Sequence, residues 1–240
     1  MSYLLYCIFR SPVQARQGIP PGVGGKPVFV LAQNGLSAGL SELAEPDRLP
    51  DISQVLAYEA VVEHLYRDLT VIPVRYGCQL AETSEALSLL ERHRDEYGAL
   101  LDELEDLAEM GILVLLNSSG AGTEIEARPV SPKSSPFPCN SGAAYLAAKR
   151  ERYLGLDRAA LHERLLVEEL WDSLAGLYVR RKVEFADSNR SRLLSLYFLV
   201  PRASVESFRQ VARQFHPKES VKLLLSGPWP PYNFVDSLQR

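Results

Sequence analysis

The stretch Ser226-Gly227-Pro228-Trp229-Pro230-Pro231-Tyr232-Asn233-Phe234-Val235 constrains this chain more than any other. Pro228, Pro230 and Pro231 fix φ, remove backbone donors and press the residues before them toward extended geometry, so the stretch is expected neither to continue a helix nor to lie inside a sheet. It reads as a stiff arm. Trp229, Tyr232 and Phe234 are large rings of the kind that anchor interfaces at low entropic cost. Two uses fit the arm equally: a plug for the chain's own fold, or a docking surface for a partner.

The rest of the chain reads as an α+β protein of two domains, residues 1–110 and 111–240. In the first, apolar Tyr3 to Phe9 is a buried strand, and Val28 to Ala32 and Leu36 to Leu43 flank Asn34-Gly35, a pair suited to the positive φ of a type I′ hairpin turn. Asp51 and Gln54 have capping-box spacing before a helix to about Leu69, with Tyr58, Val62 and Leu65 on its apolar face. Val71 to Tyr76 is a strand that Pro73 confines to an edge or an end. Thr83 to Glu109 is expected to be one long helix, bent at Gly98 and stopped by Gly111. The order is β-β-β-α-β-α.

The second domain opens with strand Ile112 to Leu116, followed by a Pro/Ser-rich loop over 117–140. A long helix is expected to run from about Asn140 to Lys182, with Gly155 and Gly176 as places where it can kink or split and Arg180-Arg181-Lys182 as its solvated end. A hairpin of Val183 to Ala186 with Leu193 to Val200, a helix from Val205 to Phe215 and a strand from Val221 to Leu225 complete a β-α-β-β-α-β order, that of a ferredoxin-like sheet. Both faces of the strand 193–200 are apolar: Leu194, Leu196, Phe198 and Val200 on one, Leu193, Tyr197 and Leu199 on the other. The helices of such a unit cover one face, so the first domain, the arm or a partner must cover the other.

The composition excludes several function classes. With 46% apolar and 23% charged residues and a net charge of −4, the chain is an ordinary globular protein without the basic face a nucleic-acid binder needs. No apolar run approaches the roughly 18 residues of a membrane span, and no basic leader opens the sequence, which points to an intracellular protein. Cys7, Cys78 and Cys139 match neither a disulfide framework nor a zinc spacing.

Catalytic signatures fail on context. Gly35-Leu36-Ser37-Ala38-Gly39 spells a nucleophile elbow, but the serine follows a hairpin turn inside a strand, where an elbow needs a strand, a sharp turn and a helix. Gly24-Gly25-Lys26-Pro27 has proline where a phosphate loop needs a hydroxyl, and it feeds a strand. His64, His93, His162 and His216 have no metal-site spacing, and the carboxylates of residues 102–106 read as a solvated face. No cofactor and no catalytic residue is expected.

Three stretches taken together resemble the gas vesicle protein F/L family. They are Leu225 to Phe234, Val71-Ile72-Pro73-Val74-Arg75-Tyr76-Gly77, and Ser141-Gly142-Ala143-Ala144-Tyr145-Leu146 with Lys149 and Arg150. Their order fits along nearly the whole chain, and the compact length leans to the F type. The resemblance implies a non-catalytic structural or accessory protein of gas vesicle assembly and buoyancy, located at the vesicle, which contacts the small hydrophobic shell protein and other accessory proteins. On that basis Trp229, Tyr232, Phe234, Leu194, Leu196 and Phe198 are candidate partner contacts. Arg75, Gly77, Tyr145, Pro228, Pro230 and Pro231 are candidate structural positions, with Arg75 expected to be at least partly buried and paired with Glu59. The alternative is a small-molecule sensor or enzyme on a ferredoxin-like domain.

Overall fold

The computed structural model describes residues 2–10, 18–43, 51–116, 161, 163–188, 191–216 and 221–235. The segment containing Cys139, Tyr145, the 117–140 loop and the start of the long helix lies outside these residues.

The first sheet is built from β1 (Ser2–Arg10), β2 (Val28–Gln33), β3 (Leu36–Leu43) and β4 (Val71–Pro73) in the order β2-β3-β1-β4, with β5 (Gln79–Leu80) also on β1. All its pairings are antiparallel. Helix α1 (Ile52–Tyr66) packs on one face, while α2 (Thr83–Arg92) and α3 (Arg94–Glu103) pack on the other. Central β1 is therefore covered on both sides, which is why it reads as an unbroken apolar run. The hairpin turn is as expected, with Asn34 at φ 50° and Gly35 at φ 86°. Pro73 lies in the edge strand β4, where no neighbour calls for its missing donor.

Strand β3 shows how α1 comes close. Leu36, Ala38 and Leu40 face α2 and α3, while Ser37, Gly39 and Ser41 face α1, and both sets are buried. These small side chains let the helix approach until a Cβ on Gly39 would stand 3.4 Å from Leu65 Cδ1. Tyr58 then reaches across the sheet, its hydroxyl 2.5 Å from the Val74 carbonyl and 3.0 Å from that of Leu5. Its ring stacks on Tyr6 at 4.8 Å between centroids. The Tyr6 hydroxyl pairs with Ser41 Oγ at 2.8 Å and accepts from the Val23 N–H at 3.0 Å, pinning the loop over the sheet. A Cβ on Gly22 would lie 2.2 Å from that hydroxyl, so glycine is required there.

The second sheet comprises β6 (Leu107–Leu116), β7 (Arg180–Ser188), β8 (Ser191–Pro201) and β9 (Val221–Trp229) in the antiparallel order β7-β8-β6-β9. Helices α4 (residues 163–173) and α5 (Val205–Gln214) complete the β-α-β-β-α-β succession. Leu166, Leu170 and Leu174 on the α4 side and Phe208 of α5 join Val114, Leu194, Leu196 and Phe198 in one core. Near the crossing between the halves, the Tyr66 hydroxyl donates to the Leu107 carbonyl at 3.1 Å, and Arg202 lies 4.0 Å over the Tyr66 ring.

Several expectations are corrected. The helix expected over 83–109 breaks at His93 (φ −108°, ψ 21°), between α2 and α3, while Gly98 sits unbent within α3. It ends at Glu103, because Asp106 at φ 56° turns the chain and Leu107 already begins β6, so Gly111 is a strand residue. A domain boundary drawn after residue 110 would cut this strand. The long helix stops before Gly176 at φ 82°, which places Arg180, Arg181 and Lys182 in β7 and off any helix end. Asp51 forms no side-chain cap; the Gln54 side chain accepts from the Tyr76 hydroxyl at 3.1 Å, so no capping box closes. Strand β9 continues through Ser226, Gly227 and Pro228 to Trp229. A proline is tolerated there because β9 is an edge strand with a bulge against β6.

Candidate functional site

After Trp229 the chain turns back over the sheet face opposite α4 and α5. The strand registers align Arg180 of β7, Leu199 of β8, Glu109 of β6 and Trp229 of β9 in one row across all four strands. The arm runs along this row. Asn233 donates its backbone N–H to Glu109 Oε2 at 2.8 Å and its side-chain amide to Oε1 at 2.6 Å. Phe234 is buried with Leu199, and the Arg180 guanidinium stands 5.6 Å from its ring centroid. Val235 is buried in the same cluster, together with Tyr97, Leu101 and Leu104 of the first half. Tyr232 points to that half as well, its hydroxyl 3.3 Å from Glu59 Oε2 on α1.

The prolines and Gly227 make this path possible. Pro230 and Pro231 are buried, and the turn closes with the Tyr232 N–H on the Pro230 carbonyl at 2.8 Å and the Phe234 N–H on that of Pro231 at 3.1 Å. Gly227, at φ 100°, passes so close to β6 that a Cβ would lie 2.6 Å from the Glu109 carbonyl oxygen. Its own carbonyl accepts from Arg209 of α5 at 2.7 Å.

Two carboxylates thus meet the arm from opposite sides. Burial raises the Glu109 carboxyl above its ordinary value, and the two Asn233 donors and Lys182 offset part of that rise. Burial also raises the Glu59 carboxyl, with the Tyr232 hydrogen bond acting against it. The Tyr232 hydroxyl is pushed up by burial and then by Glu59, so it stays a neutral donor.

The candidate partner contacts therefore separate into two groups. Leu194, Leu196 and Phe198 are core residues beneath α4 and α5, and Phe234 is 5% exposed, so none of the four is a surface of the folded chain. Tyr232 is half-buried against Glu59, whereas Trp229 remains 45% exposed at the sheet edge. Arg75 is exposed beyond the end of β4, and the Glu59 carboxylate meets Tyr232, which corrects the expected ion pair. Gly77 adopts φ 98° in the turn before β5.

Sequence reasoning marked this face through Leu193 but missed Leu113, Leu115 and Leu224 at its other end. Four residues along β7, β8 and β6 from the arm's row, and five along the bulged β9, Glu184, Ser195, Leu113 and Leu224 form a second row across the strands, flanked by Leu115 and Leu193. Leu224 is 54% exposed, and Leu113, Leu115 and Leu193 are partly so. Strand alternation could have identified them, since Leu113, Leu115 and Leu224 share the parity of Leu193 and Leu199 once the strands are paired.

The remaining chemistry is sparse. Ser37 is fully buried and its hydroxyl lacks a partner, so the apparent nucleophile elbow is a packing position under α1. Among the described residues no group of three His, Cys, Asp or Glu could hold a metal ion. An open depression of about 350 Å³ lined by Leu80, Ser84, Glu85, Ser88, Leu89 and Arg92 lies on α2 and the preceding strand. No helix among the described residues is long and apolar enough to cross a membrane.

Comparison with known proteins matches this architecture along its length. The sequence profile of the family described as gas vesicle synthesis protein GvpL/GvpF fits residues 2–236. Gas vesicle protein F of Streptomyces sp. (strain CB03234) is 22% identical over 247 residues, covering 98% of this chain and 100% of the relative. The crystal structure of GvpF from Anabaena sp. PCC7120 superposes with a TM-score of 0.72 at 17% identity, covering 98% of this chain and 95% of that one. That of GvpF from Microcystis aeruginosa also gives 0.72, at 15% identity and with 98% of each chain covered.

Proposed function

This chain belongs to the GvpL/GvpF family of gas vesicle synthesis proteins, and from that premise we propose that it is a non-catalytic accessory component of gas vesicle assembly that contacts the vesicle's small hydrophobic shell subunit. The contact surface is the part-exposed end of the second sheet, Leu113, Leu115, Leu193 and Leu224, together with Trp229. The observation that carries this reading is the uneven cover of one sheet face: the chain lays its own arm over one end and leaves leucines part-exposed at the other. Apolar surface of that kind, rimmed by Glu184 and Lys222, is what a hydrophobic subunit would bury.

The test is a pull-down of the tagged chain from cells expressing a complete gas vesicle gene set, comparing wild type with Trp229→Ala/Leu224→Ser after circular dichroism has shown both folded. Wild type is expected to retain the shell subunit and the variant to lose it. Retention by both would move the contact elsewhere on the molecule. A folded wild type that retains no vesicle protein would overturn the reading.

A further inference from the structure

We propose that residues 232–235 form a clasp that makes the two sheets unfold as one cooperative unit. Apart from an exposed Arg180–Glu103 ion pair at 3.7 Å on the β7 side, the other polar contacts between the halves described above gather close to the covalent crossing. The Tyr66 hydroxyl meets the Leu107 carbonyl, the Arg202 N–H meets the Asp106 carbonyl at 2.8 Å, and Arg202 covers Tyr66. Contacts next to a hinge resist opening weakly. The arm closes the seam further out, crossing from β9 over β6 and β8 to the Arg180 side chain on β7.

Each clasp residue serves a different part of the seam. Tyr232 holds Glu59 of the first half, and Asn233 holds Glu109 of the second. Phe234 and Val235 fill the apolar space shared by Leu101 and Leu104 of one half and Leu199 of the other. Without the arm, a buried carboxylate in β6 would lose both Asn233 donors, and the apolar seam would admit water. An interface so weakened no longer transmits the stability of one half to the other, and all-or-none unfolding gives way to sequential unfolding.

The full chain carrying Asn233→Ala and Phe234→Ala is compared by scanning calorimetry with wild type and with Phe208→Ala, whose ring lies under the opposite sheet face. Wild type and Phe208→Ala should each melt in a single transition, and the clasp variant in two, split by about 5 °C or more. A clasp variant that melts in one downshifted transition, as Phe208→Ala does, would overturn the proposal, as would a wild type that already melts in two. Should the double variant not fold, Tyr232→Phe removes only a hydroxyl. Its slowest-exchanging amides in β1 and β8, matched in wild type, should then differ in opening by about tenfold. Amides that stay matched in Tyr232→Phe would equally sink it.

Discussion

Two rows of the second sheet, on the same strands and the same face, have opposite fates. In the row Arg180, Leu199, Glu109, Trp229 the central Leu199 and Glu109 are roofed by the arm and the first half, whereas the row Glu184, Ser195, Leu113, Leu224 is part-exposed throughout. Strand alternation makes both available as surface. What separates them among the described residues is the path of the arm, which leaves β9 at Trp229 and follows the row of Glu109 and Leu199 as far as Val235. An apolar sheet face therefore need not mark a partner site along its whole length; the informative part is the row whose leucines keep part of their surface exposed.

The contrast can be broken most sharply at Phe234. Phe234→Ala should lower stability by about 3–5 kcal/mol, the usual range for emptying a buried aromatic site, as read by urea denaturation. Asn233→Ala comes next, at about 1–3 kcal/mol, because it leaves the Glu109 carboxylate buried without its donors. Trp229→Ala, at the half-exposed end of the roofed row, should cost about 1 kcal/mol. Leu224→Ser in the bare row should move stability by less than about 0.5 kcal/mol while reducing capture of the shell subunit. If Leu224→Ser instead destabilised as much as Asn233→Ala, the two rows would be alike and the bare one would be covered too.

Proton linkage sharpens the same contrast, because Glu109, a buried carboxylate with a raised pKa, lies in the roofed row. Glu109 holds its proton more tightly folded than unfolded, so its contribution is fully present below the ordinary value near 4.5 and is lost as pH rises through the higher folded value. Glu59 acts in the same direction. Wild-type stability should therefore decline over mildly acidic pH as pH increases, and Glu109→Gln should flatten that decline, as followed by thermal melts across the window. Asp102 has the opposite sign: the Arg10 guanidinium holds its carboxyl low, and that contribution fades only as pH falls below about 3.8. An unchanged slope in Glu109→Gln would show that the roof leaves this carboxylate as wet as the open row.

Much of the fold was legible in residue pattern because local and tertiary preferences agree. The Asn34-Gly35 turn, the double-sided apolar run of β1, the edge position of Pro73 and the helical spacing of Val205 and Phe208 each have one physical solution. The misreadings fall where two periods overlap. Leu104, Leu107 and Ala108 suit a helical stripe, and only the left-handed turn at Asp106, for which a single acidic residue gives no distinctive signal, hands 107–109 to a strand. Glu109 was invisible for the same reason: beside Glu103 and Glu105 it resembles one more solvated carboxylate, and its burial depends on Asn233, more than a hundred residues away. The arm's rings and prolines did announce an unusual element. Which rings turn inward depended on strand register, which the sequence does not state.

The bulge where β9 passes Glu109 has a consequence for how this stretch can vary. Between the pairs Ser226–Gly111 and Trp229–Glu109, β9 spends three residues against two on β6, so the strand changes phase by one position. That offset brings Trp229 into the row that Pro228 would otherwise occupy, and it sets where Asn233 and Phe234 arrive. A single-residue insertion or deletion within 226–229 would deliver every later residue to the wrong address. For residues 226–229, the count of residues sets where everything after them arrives.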